Sequence, residues 1–225
     1  MLHQLKGLWR IIKRRTMFKS YSIWTEVDAI LHIGANYGQE RDFYESHQLE
    51  VDWVEANPQV VNKLKEHIRK RPFQRAYQGL IAEVDGRECD FYISNNAGES
   101  SSIYDFGEHK KIWADVYFND KIRLKTVTLG RFLNENKIKL RSRQGLVMDV
   151  QAAEHLVLRG AGDLIRQFRW IKTEAADFEL YQGGAQLYDL ESILIPLGFQ
   201  EIEREIVKRV EGLGTCYNVI YRKVN

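Results

Sequence analysis

The feature that most constrains this chain is the run Ala29-Ile30-Leu31-His32-Ile33 that enters Gly34-Ala35-Asn36-Tyr37-Gly38-Gln39. A short apolar stretch, a glycine-bounded turn and a following helix form the first unit of an α/β sheet. Glycine presents no Cβ, so a ligand can approach the backbone closely there. The spacing is G-x-x-x-G, looser than the G-x-G-x-x-G turn that seats a pyrophosphate on a helix N-terminus.

The rest of the chain repeats the alternation. Val51–Glu55 reads as a strand closed by Ala56-Asn57-Pro58. Pro58 suits a first helical turn, and Val60, Val61, Leu64 and Ile68 give that helix its apolar face. Ala76–Ala82 reads as a third strand, and Asp85-Gly86 as a hairpin turn into Glu88–Ile93. Residues 94–122 look irregular. Helices are expected over Leu129–Asn136, from Glu154 to Gly160 and over Leu187–Leu197; strands over Leu146–Val150 and Trp170–Glu174. Phe199–Val207 and Cys216–Arg222 follow each other with no helix between. The pattern predicts an α/β, doubly wound, mostly parallel seven-stranded sheet with a C-terminal antiparallel pair. That ending separates the methyltransferase version of the Rossmann-like fold from the dinucleotide version.

Charge divides the chain at its beginning. Of 33 Lys and Arg, six fall within residues 1–20 with no acid among them, so the remainder is mildly acidic against 31 Asp and Glu. Leu2, Leu5, Leu8, Trp9 and Ile12 recur there at helical spacing. Residues 1–24 therefore read as a basic amphipathic arm, able to touch a membrane surface peripherally or to pack on the body, and residues 25–225 as one domain. Charges interrupt any signal-peptide core, and Cys89 and Cys216 have no metal-ligand or disulfide pattern. A cytoplasmic setting is expected, with no nucleic-acid partner, since the body is not basic. The oligomeric state is not legible.

Four places carry chemistry. The turn comes first. Glu55 ends the second strand, where an acid can accept from both hydroxyls of a ribose; a surface Glu at a helix entrance is the plain alternative. Asp149 ends the strand of Gly145-Leu146-Val147-Met148-Asp149, where a carboxylate can orient a substrate hydroxyl or take its proton. Glu174 ends the next strand on the same rim. Glu154, at a helix start, is sufficiently explained by the helix dipole. The 94–122 segment is a candidate acceptor lid: Ser100, Ser101, Ser102 and His109 offer polar contacts. Tyr104, Phe106, Trp113, Tyr117 and Phe118 offer rings that would serve a sugar or simply cover the sheet edge.

His32 through Gln39, the Glu55–Pro58 turn, Asn95–Ser102, Met148–Glu154 with Leu158-Arg159-Gly160-Ala161, and Thr173-Glu174 before Leu197-Gly198-Phe199 occur in that order. Together, over about residues 28–222, they resemble the FkbM-type methyltransferase family. The resemblance implies a class I fold and methyl transfer from S-adenosylmethionine to an oxygen, on a sugar, polysaccharide or secondary metabolite. It implies that His32, Gly34, Ala35, Asn36 and Gly38 surround the cofactor's aminoacid end, that Glu55 holds the ribose, and that Leu80 and Ile81 flank the adenine. Asp149 matches the family's acidic position.

Three residues depart from the family pattern. His32 stands where many members carry an acid, and reads better as a hydrogen-bonded structural residue than as a base. Met148 replaces a frequent lysine. Ala152 takes the glycine of D-x-x-G-x-E, which strains the turn if that position needs positive φ. These changes motivate an alternative, a catalytically degenerate relative that binds cofactor or a partner protein. No spacing supports a metal ligand set. A nucleotide-dependent reductase would want the tighter glycine turn and a Tyr/Lys pair.

Overall fold

A computed structural model describes residues 21–224; residues 1–20, which carry the six cations of the expected arm, lie outside the described residues. The strands are β1 (Ala29–Ile33), β2 (Glu50–Glu55), β3 (Gln74–Gln78), β4 (Leu80–Ile81), β5 (Glu88–Ser94), β6 (Phe118–Val127), β7 (Gln144–Met148), β8 (Phe168–Ala176), β9 (Phe199–Val210) and β10 (Gly214–Lys223). The helices are α1 (Tyr21–Trp24), α2 (Arg41–Ser46), α3 (Pro58–Ile68), α4 (His109–Ile112), α5 (Leu129–Glu135), α6 (Glu154–Ala161) and α7 (Leu187–Leu194), with a 3₁₀ turn over Gly162–Gln167.

The main sheet has seven strands in the order β3-β2-β1-β7-β8-β10-β9. β3, β2, β1, β7 and β8 run parallel, and β10 pairs antiparallel with both β8 and β9. Strand order reverses between β1 and β7, which opens a crevice above their carboxyl ends. β1 and β7 are buried at every residue because helices cover both faces.

Two apolar layers sandwich the sheet. Phe132, Val157, Leu158, Leu190 and Leu194 bring α5, α6 and α7 onto one face. Trp24, Tyr44, Leu64 and Ile68 bring α1, α2 and α3 onto the other. Trp170 Nε1 donates to the Ile23 carbonyl at 2.9 Å, fastening α1 to the body. Ile23 and Trp24 are buried against the body. Asn57 caps α3, its Oδ1 accepting from Gln59 N–H at 3.0 Å ahead of Pro58.

The expected third strand is two elements. Gln74–Gln78 joins the main sheet, while Leu80–Ile81 pairs in parallel with β6 in a separate three-stranded sheet, β4-β6-β5. Asp85-Gly86 is therefore a turn but not a hairpin, since β4 and β5 each pair with β6. β6 itself occupies part of the segment expected to be irregular.

Candidate active site

A cleft of about 450 Å³ lies over the carboxyl ends of β1, β2, β7 and β8, at the switch point where open α/β sheets gather ligands. Glu55 forms its first corner. This buried carboxyl accepts from Asn36 N–H through Oε2 and from Asn57 N–H through Oε1, both at 2.8 Å. Burial raises its pKa, the N–H donors pull it back, and the charge of Asp149 adds to the rise. Two carboxylate oxygens carry about four acceptor sites, so the corner can still receive a vicinal diol.

Asn36 adopts φ 44°, a left-handed conformation that Asn tolerates better than most residues. Its Nδ2 donates to the Ala97 carbonyl at 3.2 Å, tying the glycine turn to the 94–102 loop. Its Oδ1 is buried with no hydrogen-bond partner, an orphaned acceptor on a residue of the cleft wall. His32, Ala35, Leu80 and Ile81 also line the cleft. His32 is buried, stacked on Trp53 at 4.8 Å between centroids, with Nδ1 3.2 Å from Tyr44 Oη.

The two glycines of the turn differ. Gly34 lines the cleft, but its strongest demand is internal: with φ 87°, a Cβ would sit 2.0 Å from the Asp149 carbonyl oxygen. Gly38, expected beside the cofactor, is not among the residues that line the cleft. A Cβ there would meet Leu64 Cδ1 at 2.5 Å, so this glycine lets α3 close on the turn.

Asp149 and Glu174 line the opposite part of the cleft, with Lys172, Thr173 and Asn218 between and beside them. Asp149 Oδ1 accepts from Gln151 Nε2. Gln151 is itself held by Tyr181 Oη, which donates to its Oε1 at 2.8 Å, and by Ser102 Oγ, which donates to its carbonyl at 2.8 Å. Gln151 and Ala152 have φ 53° and 70°. The position that departs from glycine does require the left-handed region.

Glu154 needs a different account from the helix dipole. It is buried, its Oε1 accepts from Val150 N–H at 3.0 Å, and burial pushes its pKa up to about 8, with Asp149 and Glu174 adding to the rise. Its carboxyl fastens the β7–α6 loop that carries Asp149. Lys172 was also missed by sequence reasoning. It is buried on the cleft wall, and burial lowers its pKa against the pull of Glu174, Glu205, Glu203 and Glu40.

Of the polar residues expected in an acceptor lid, only Ser101 lines the cleft. Ser100 Oγ accepts from Asn96 Nδ2 at 2.9 Å, and Ser102 Oγ is committed to Gln151. His109 is buried against Phe106 at 4.1 Å, beside Trp113 and Tyr181, and burial moves its pKa down to about 4. All three support the loop, and none of them lines the cleft. Tyr104, Phe106, Trp113, Tyr117 and Phe118 lie off the cleft wall too. The part of 94–122 that lines the cleft is Gly98, Glu99, Ser101 and Ile103. Among the described residues, no group of three or more His, Cys, Asp or Glu is placed to hold a metal ion. No described helix is long and apolar enough to cross a membrane.

Sheet order and cleft together define a class I methyltransferase fold. Residues 32–201 match the family described as Methyltransferase FkbM domain. The chain is 31% identical over 191 residues to 2-O-methyltransferase NoeI of Sinorhizobium fredii (strain NBRC 101917 / NGR234), spanning 81% of this chain and 76% of that protein. Two solved structures share the fold. The N-terminal domain of EvdMO1 with bound SAH superposes with a TM-score of 0.54 at 9% identity, covering 95% of this chain and 81% of that one. Magnesium protoporphyrin IX methyltransferase of Synechocystis PCC 6803 with bound SAM gives 0.52 at 8% identity, covering 97% and 80%. The chain belongs to the FkbM methyltransferase family and is an S-adenosylmethionine-dependent methyltransferase.

Proposed function

We propose that this enzyme methylates a hydroxyl of a saccharide or related polyhydroxylated small molecule. The observation that carries the reading is the pair Asp149 and Glu174, at the carboxyl ends of neighbouring parallel strands and both on the cleft wall. Two carboxylates on one rim can accept from adjacent hydroxyls, and Asn218 and Thr173 add further polar atoms beside them. The relative NoeI, named a 2-O-methyltransferase, supports oxygen as the acceptor atom.

The residues present fit the cofactor. Glu55 is aligned by two backbone N–H groups to take the ribose hydroxyls, and Leu80 and Ile81 offer apolar walls to the adenine. The orphaned Asn36 Oδ1 suits the ammonium of the aminoacid end. When bound, S-adenosylmethionine supplies a methyl group on an already activated sulfonium. What the protein must add is alignment and exclusion of water. Asp149, held through Gln151 and Tyr181, orients the acceptor hydroxyl or takes its proton, and Glu174 is the second group placed to do so. The β7–α6 loop is closed by Ala185 N–H to the Ala152 carbonyl at 2.8 Å despite the alanine. That closure favours a working enzyme over a degenerate relative.

The test is methyl transfer from labelled S-adenosylmethionine to a panel of oligosaccharides, each paired with its 2-deoxy analogue. Asp149→Asn is expected to abolish turnover while leaving cofactor affinity within a few-fold. Label in none of the saccharides refutes the acceptor class; undiminished turnover by Asp149→Asn refutes that residue's role.

A further inference from the structure

Lys172 sits in mid-strand on β8, two residues before Glu174 and therefore on the same face of the sheet. Its register neighbours are Val147 on β7 and Ile220 on β10, both members of the apolar layer beneath α1 and α2. Lysine is almost never fully buried without a reason, and this one is 5% exposed. Yet it lines the cleft, with Val147, Asn218 and Glu174 around it. The charged groups that face it are Glu174 on its own strand, Glu203 and Glu205 on β9, and Glu40 just ahead of α2. All four favour the ammonium. Burial opposes them, and burial is the larger effect.

We propose that Lys172 is the base that removes the proton from the acceptor hydroxyl, while Asp149 and Glu174 orient that hydroxyl. This rests on the reading above that the acceptor is an alcohol. Base strength favours the amine: an ordinary carboxylate is a weak base toward an alcohol, whereas an amine whose charged form is penalised by burial is a stronger base and is more readily present in its neutral form. In the step, the acceptor O–H bond breaks and its proton goes to Lys172 Nζ. The oxygen pair so released forms the O–CH₃ bond, the S–CH₃ bond breaks, and its electrons stay on sulfur as a thioether. Lys172 then returns the proton to solvent. A neutral amine becomes an ammonium as the sulfonium charge disappears, so net charge is conserved.

Two variants and one spectroscopic measurement test this. Lys172→Arg keeps the charge but cannot serve as a base; Lys172→Met removes both. Each is expected to lose at least about 100-fold in kcat/KM, while calorimetry finds S-adenosylhomocysteine affinity within a few-fold of wild type. The second readout needs no turnover: in ¹⁵N-lysine NMR of the wild-type enzyme, the signal missing from Lys172→Arg should titrate below the ordinary value of about 10.4. An active Lys172→Arg enzyme overturns the proposal, and so does a Lys172 signal that titrates at or above the ordinary value. If the wild-type enzyme methylates no alcohol, the acceptor reading fails first. The titration then decides Lys172 alone: a lowered midpoint supports an available base, and an ordinary one overturns it. Should Lys172→Met fail to fold, the Lys172→Arg rate and the titration still decide.

Discussion

Replacing Glu55 by Gln removes one charge and one acceptor from the corner that two backbone groups align. Both Oε1 and Oε2 now accept, each at 2.8 Å. A Gln side chain can satisfy only one of those N–H groups, because its NH₂ would face the other donor. One backbone N–H is then left without its partner at a cost of about 1–3 kcal/mol. For a domain of this length, that lowers Tm by roughly 2–12 °C. Cofactor binding suffers separately. A hydrogen bond from a ribose hydroxyl to a carboxylate is worth about 1.5–3 kcal/mol, so losing one raises Kd roughly 10- to 150-fold. The assay is calorimetric titration of wild-type and Glu55→Gln protein with S-adenosylhomocysteine and with its 2′,3′-dideoxy analogue, alongside thermal melts. The two proteins should differ strongly toward the natural nucleoside and little toward the dideoxy one. Equal affinity for the natural nucleoside, or an equal deficit toward both ligands, refutes the diol-binding argument.

Ala152→Gly should stabilise the protein by about 0.5–1 kcal/mol, because relief of the left-handed strain at φ 70° exceeds the extra entropy of an unfolded glycine. A fall in Tm would count against strain at this turn. Glu154 gives a pH dependence: its pKa is raised to about 8 in the fold, so its contribution is fully present below about 4.5 and is lost as pH climbs through 8. Glu154→Gln keeps an acceptor for Val150 N–H and removes that loss, so its melting advantage over wild type should grow between pH 5 and 8.5, by at most about 1.4 kcal/mol per pH unit. A pH-independent difference would show that Glu154 does not titrate in this window.

Legibility followed burial. β1, β7 and β8 are covered on both faces and read as apolar runs, and their ends placed Asp149 and Glu174 on the cleft. β6 was hidden because it is half exposed, with Lys121, Arg123 and Lys125 alternating with Ile122, Leu124 and Thr126. Ala76–Ala82 looked like one strand, since nothing in its composition announces that Leu80 leaves the main sheet at Gly79 to pair with Thr126. The site divides likewise. Glu55, Asp149 and Glu174 were visible because strand ends are a general location for ligands. Gln151 was not, since its aim at Asp149 depends on a left-handed backbone that its residue type does not advertise. Lys172 was masked by its mid-strand place. The signal available was a lysine directly after Trp170 and Ile171 in a strand expected to be buried.

The three departures from the family pattern bear on whether this cleft is intact, and each is accommodated by a local partner. His32 gives up a negative charge, but its ring is buried, stacked on Trp53 and hydrogen-bonded to Tyr44. Met148 gives up a positive charge, and its side chain joins the apolar layer with Leu31, Leu146 and Ile171. Ala152 costs backbone strain, yet its carbonyl still receives Ala185 N–H and its neighbour Gln151 still reaches Asp149. None of the three supplies Glu55 with its two N–H donors, and Asp149 and Glu174 both remain on the cleft wall. The substitutions therefore alter the charge around the reacting centre while leaving the binding corner and the two rim acids in place. Asp149 stays braced through Gln151 and Tyr181, which is the support a group needs if it is to hold a substrate hydroxyl in one position.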